Sequence, residues 1–134
     1  MMLPNGTIIA VADGENLKLF HNTGDEASMK LTALPQADVE STNKGAGARH
    51  QSSAANPDDS QQEEDNFSAG IADTLNRQVL DGKIKNLVIV AAPRTLGELR
   101  KHYHKMLSAV LIGELDKDLT GHSIEDIEKA IHAL

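Results

Sequence analysis

A chain of 134 residues amounts to one domain and is long enough to bury a core. Its formal net charge of −7 argues against indiscriminate coating of nucleic acid, and DNA is not an expected partner. The absence of cysteine excludes disulfides and thiolate metal sites. With Phe20, Phe67 and Tyr103 as the whole aromatic complement, the core has to be aliphatic. The apolar runs are too short to span a bilayer, and the opening MMLPNGTIIAVADG lacks the charged start of a signal peptide. The expectation is a soluble, cytoplasmic protein without membrane insertion.

Thr7 to Ala12 reads as a strand of β-branched and small apolar residues, closed by the turn signal Asp13-Gly14. Leu17, Leu19 and His21 alternate with Lys18 and Phe20 in a second strand. After the turn at Asn22 to Asp25, Met29, Leu31 and Ala33 alternate with Lys30 and Thr32 in a third, stopped by Pro35. The first third is therefore an antiparallel meander. Gln36 to Ala55 is poor in large apolar residues and rich in Ser, Asn, Gly and Ala, which predicts a projecting, mobile loop. Asn56 and Pro57 suit the N-cap and first position of a helix, and Phe67, Ile71, Leu75 and Val79 give that helix one buried stripe. Gly82 is its stop.

Leu87 to Ala92 is an unbroken apolar run, the pattern of a strand covered on both faces. Pro93, Arg94 and Thr95 turn the chain directly into a helix. Thr95 and Glu98 have capping-box spacing, which predicts a start at Thr95 and an apolar face of Leu96, Leu99, Tyr103 and Leu107. Ala109 to Leu115 fits a further strand. Ser123 and Asp126 predict a capped last helix with Ile124, Ile127, Ile131 and Leu134 on its inner side. The order is βββ-loop-αβαβα. It specifies a single α/β domain over residues 1–134, a mixed sheet of about five strands flanked by helices.

Two stretches offer binding chemistry. In Asn43 to Ser52, Gly45 and Gly47 allow close backbone approach to a ligand, while Lys44, Arg49 and His50 oppose phosphates. No Gly-Lys-Ser/Thr follows a strand, so it is not a P-loop, and the plainer reading is a flexible surface loop kept soluble by its charges. The second stretch, Arg94 to Lys105, holds four Lys or Arg, two His and one acid, Glu98. Arg94 stands beyond the carboxyl end of a strand, where α/β folds dock ligands. The plainer reading is that Arg100, Lys101 and Lys105 favour the negative end of the helix. His102 and His104, two residues apart, point to different sides of a helix and cannot share a metal. No metal site, cofactor motif or Ser/His/Asp arrangement is legible.

AAPRTLGELRKHYHK followed by VLIGELDKDLTGH resembles the bacterial family of host attachment proteins, described as required for attachment to host cells. TIIAVADGENLKLF and NFSAGIADTLNR extend the resemblance over nearly the whole chain, and Pro93 to Arg100 and Lys117 to Thr120 are its most specific parts. That family is similar in turn to the middle domain of archaeal and eukaryotic peptide-chain release factors. The similarity implies an RNase H-like arrangement with a projecting loop. In release factors the loop ends in Gly-Gly-Gln, whose glutamine enters the ribosomal peptidyl-transferase centre. Here Gln51 is followed by Ser52 as in that pattern, but Arg49 and His50 replace the two glycines.

The resemblance therefore implies a non-catalytic protein that faces RNA or the ribosome. The candidate binding residues are Lys44, Gly45, Gly47, Arg49, His50 and Gln51 in the loop, with Arg94, Arg100 and Lys101 added from the local positive charge of the helix. The loop and the helix are expected to form one docking surface. One alternative is a peptidyl-tRNA hydrolase in which Gln51 positions water and His50 assists. Another is an adaptor that contacts a protein partner.

Overall fold

Residues 1–35, 39 and 59–134 are described by the computed structural model. Strands β1 (Ile8–Ala12), β2 (Leu17–Asn22), β3 (Leu31–Ala33), β4 (Leu87–Ala91) and β5 (Leu111–Leu115) form one mixed sheet in the order β3-β2-β1-β4-β5. β1 pairs antiparallel with β2, placing Ala10 opposite Leu19, and β2 pairs antiparallel with β3. On its other side β1 runs parallel to β4, with Ala10 opposite Ile89, and β4 runs parallel to β5. This is the single mixed five-stranded α/β sheet expected from the sequence. The central strand β1, IIAVA, and its parallel neighbour β4, LVIVA, carry no polar side chain. Such strands are stable only where both faces are covered.

Helices α1 (Asp59–Leu80), α2 (Pro93–Arg100) and α3 (Lys105–Val110) cover one face, and α4 (Ile124–His132) covers the other. The period-two alternation of β1 divides its side chains between the layers. Ala10 and Ala12 meet Ile71, Leu75, Leu96, Leu99 and Leu107 from the three helices. Ile9 and Val11 join Val88, Val90, Ile127 and Ile131 on the α4 side. Ile71, Leu75 and Val79 are buried as the stripe of α1 requires. That helix ends where Gly82 takes φ +80°, with the Lys83 N–H donating to the Gln78 carbonyl at 2.9 Å and the Gly82 N–H to Val79 at 3.0 Å. These are the paired bonds of a Schellman stop, a conformation that favours glycine.

The single helix expected from Thr95 to Leu107 is instead two. α2 begins at Pro93, with Ala92 as its N-cap and no side-chain cap. Proline at the first position presets φ for the helix and starts it two residues early. Thr95 and Glu98 therefore form no capping box. α2 ends at Arg100 in a tightened turn, where the Lys101 and His102 N–H groups donate to Glu98 and Leu99 carbonyls. Asn76 of α1 fixes the break: its Nδ2 donates to the His102 carbonyl, and its Oδ1 accepts from the His104 N–H, both at 2.9 Å. His104 then caps α3 through Nδ1, which accepts from the Met106 N–H at 3.0 Å.

β5 consequently starts at Leu111, two residues after the expected Ala109, and the order after β3 is αβααβα. The Ser123 cap forms as expected, its hydroxyl accepting from the Asp126 N–H at 3.2 Å. Of the predicted α4 stripe, Ile127 and Ile131 are buried, while Leu134 is 43% exposed. The predicted Asn56-Pro57 helix start lies outside the described residues. So does the loop at 36–55, apart from Val39, which lies against the α1-side core. Among the described residues no helix is long and apolar enough to cross a membrane.

Candidate functional site

The carboxyl ends of β4 and β5 lie side by side, and α2 leaves directly from the first of them. This connection puts Arg94 in the first turn of α2 and brings Arg100, at its last residue, to Glu114 on β5. Arg94 is exposed and has no hydrogen-bond or ion-pair partner among the described residues. Arg100 and Lys101 are exposed but paired. Arg100 donates from Nε at 3.0 Å and from Nη2 at 2.6 Å to one oxygen of Glu114 on β5. Tyr103 donates its hydroxyl to the other oxygen at 2.9 Å. Lys101 Nζ lies 3.1 Å from Glu98, and His102 Nε2 lies 3.5 Å from the second oxygen of the same carboxylate. The local positive charge that the sequence concentrates in this stretch is thus partly cancelled by two acids.

These pairings tune the groups that make them. Burial alone would raise the Glu114 carboxyl, but the hydrogen bonds from Arg100 and Tyr103 bring it below the usual carboxylate range. Tyr103 is pushed well above an ordinary phenol, first by burial and then by its bond to a carboxylate that is already charged. Glu98 is lowered chiefly by its hydrogen bond from Lys101. With both Glu114 oxygens occupied, the carboxylate acts as a bracket that holds the Arg100 guanidinium in one orientation.

That guanidinium forms part of the wall of a cleft of about 470 Å³, lined also by Pro93, Leu96, Glu114 and Asp116. Pro93, Leu96 and Arg100 are spaced at i, i+3 and i+7 and so share one side of α2. Glu114 and Asp116 come from the end of β5 and the residue beyond it. Leu96 is buried at the base, and Asp116 is exposed with no hydrogen-bond partner among the described residues. The cleft therefore presents an oriented donor, an unsatisfied acceptor and an apolar floor.

A second polar group lies at the carboxyl end of β1. Asp13 accepts from the Glu15 and Asn16 N–H groups at 2.7 and 2.6 Å, and its other oxygen lies 2.9 Å from the Thr120 hydroxyl. That hydroxyl also lies 2.7 Å from Asp118, while Lys18 donates to the Thr120 carbonyl at 2.6 Å. Burial would raise the Asp13 carboxyl, but these hydrogen bonds together lower it. The group ties the β1–β2 turn to the segment between β5 and α4. Among the described residues no three His, Asp or Glu side chains converge to hold a metal ion.

Lys44, Gly45, Gly47, Arg49, His50 and Gln51 lie outside the described residues, and with them the surface expected between the loop and α2. Arg94 stands in the first turn of α2, whereas Arg100 and Lys101 stand at its far end, and of the three Arg100 lines the cleft. Sequence reasoning missed Glu114, Asp116 and Tyr103 as members of this site. The apolar positions around Glu114 marked a strand, but nothing in their spacing indicated which helix that strand would face.

Residues 6–131 match the family model of Bacterial archaeo-eukaryotic release factor family 12. The chain is also similar to Uncharacterized protein RP470 of Rickettsia prowazekii (strain Madrid E). The two are 35% identical over 51 residues, which make up 38% of this chain and 34% of that protein. The match thus covers about a third of that relative's length.

Proposed function

We propose that this chain, which belongs to bacterial archaeo-eukaryotic release factor family 12, docks on ribosomal RNA and does so without hydrolysing a peptidyl ester. The observation that carries this reading is the position of the segment Lys44 to Ser52 in the chain order. It connects β3 to α1 within a family match that spans residues 6–131, at the point in the chain order where the release-factor resemblance puts the ribosome-facing loop. The segment supplies Lys44 and Arg49 for phosphates, together with Gly45, Gly47, His50 and Gln51. Arg94, free of partners among the described residues, adds a third cation on the folded body. Arg100 and Lys101 contribute less to phosphate binding, because Glu114 and Glu98 already hold them.

The reading excludes hydrolysis because Arg49 and His50 occupy the positions of the two glycines that let a release-factor backbone place its glutamine. The attachment to host cells implied by the host attachment resemblance then follows from altered translation in the cytoplasm, without direct contact outside the cell.

Co-sedimentation with ribosomes over a salt series tests the proposal. Three phosphate contacts predict a slope of log affinity against log salt of roughly −2, at about −0.7 per contact for single-stranded RNA. Replacing Lys44, Arg49 and Arg94 by alanine should flatten that slope and abolish pelleting. No association at low salt would end the proposal. Turnover of peptidyl-tRNA that disappears in Gln51→Ala would replace it with the hydrolase reading.

A further inference from the structure

The cleft between α2 and the end of β5 is a polar concavity of about 470 Å³, and phosphate docking leaves it unused. Its lining states what it can accept. An anion would meet Glu114 and Asp116, and a simple cation would meet Arg100. A neutral ligand with hydrogen-bond acceptors on one edge and donors on another satisfies both sides. The apolar surface of Pro93 and Leu96 suits the flat face of such a ring.

The Arg100 fork is half used. Nε and Nη2 are directed at Glu114, which leaves the end-on pair of N–H groups on Nη1 and Nη2. Tyr103 holds the far oxygen of Glu114, so the fork is fixed before any ligand arrives. Asp116 lies close enough to act on the charge of Arg100, and its own oxygens have no hydrogen-bond partner among the described residues. Two adjacent acceptors facing a guanidinium fork, and two adjacent donors facing a carboxylate, are the pattern of guanine. Adenine places an amino group where the fork needs an acceptor. Uracil and cytosine each offer the carboxylate a single donor group.

We propose that this cleft holds an unstacked guanine, with Arg100 donating to O6 and N7 and Asp116 accepting from N1–H and the 2-amino group. The proposal rests on the RNA-docking reading, since an unpaired base of the bound RNA is the natural source of the ring. Glu114 is a positioning residue that acts through Arg100.

The test is titration of the full chain, labelled with nitrogen-15, with guanosine, adenosine, cytidine and uridine 5′-monophosphates. All four carry the same phosphate, so differences among them report the base. Guanosine monophosphate is expected to shift the amides of Leu96, Arg100 and Asp116 and to bind at least about tenfold tighter than the others. Asp116→Asn should remove that preference while leaving the remaining spectrum unchanged, and Arg100→Lys, which keeps the charge and loses the fork, should do the same. Equal shifts from all four nucleotides, shifts confined to residues outside the cleft, or undiminished preference in Asp116→Asn would each overturn the proposal. Ribosome pelleting without a guanine response removes the cleft assignment alone. A guanine response without pelleting supports the cleft and removes the ribosomal docking.

Discussion

Asp13 offers the sharpest test of how the carboxyl end of the sheet is held together. Replacing it with alanine removes the acceptor of two turn amides, at 2.7 and 2.6 Å, and a partner of the Thr120 hydroxyl at 2.9 Å. Removing a side-chain acceptor from backbone N–H groups costs about 0.5–2 kcal/mol at helix caps, which are the nearest chemical analogue. A hydrogen bond to a charged group adds about 1.5 kcal/mol at the low end of its range, suited to a site that is not deeply buried. Together these predict a loss of roughly 2–3 kcal/mol at pH 7, seen as a fall in melting temperature of roughly 6–10 °C for a domain of this size.

The charge makes part of that contribution dependent on pH. The folded carboxyl lies below its unfolded value, so the unfolded state takes up protons first as the solution is acidified. The stabilisation is complete above the unfolded pKa of about 3.9 and drains as pH falls through the lower folded value. Asp13→Asn keeps an oxygen for the two amides and a donor for Thr120 but carries no charge. Urea unfolding at pH 7 and pH 3 should show a smaller loss for this variant at pH 7 than for Asp13→Ala. Its acid sensitivity should be reduced, by no more than the one proton that Asp13 can bind. Glu98 and Glu114, which are also lowered, keep part of the slope in every variant. A change under about 0.5 kcal/mol in Asp13→Ala, or an unaltered acid slope in Asp13→Asn, would refute the argument.

Asn76→Ala removes both bonds that fix the break between α2 and α3, and should cost about 1–2 kcal/mol. The change should appear as faster hydrogen exchange at the His104 amide, with β4 still protected. Leu75, fully buried on α1 beneath the sheet, leaves a cavity when truncated. Leu75→Ala should cost about 2–5 kcal/mol in chemical unfolding with an unchanged slope against denaturant.

The candidate site was legible in part. Arg94, Arg100 and Lys101 stand out because an acidic chain has gathered cations in one short stretch. Their electrostatic state was not legible, because Arg100 lies 14 residues from Glu114 and meets it only once β5 is set beside β4. Asp116 resembled part of an ordinary charged turn until the end of β5 placed it across a cleft from α2. Lys117 to Thr120 was specific as a pattern, and the contact between Thr120 and Asp13, 107 residues away, gives that segment a physical role.

Where neighbouring residues settle the matter, the sequence alone was sufficient for most elements, the start of α2 at Pro93 rather than Thr95 being the exception. The uniformly apolar β4, the four-residue stripe of α1, the Gly82 stop and the Ser123 cap each depend on side chains within one or two turns of each other. The α/β class and the meander at the start follow from them. Tertiary structure decided the strand order β3-β2-β1-β4-β5, the division of the second helix by Asn76, and the partners of Arg100 and Asp13. Those features join residues far apart in the chain, and their hydrogen bonds form only after the aliphatic layers have packed and fixed which elements are neighbours.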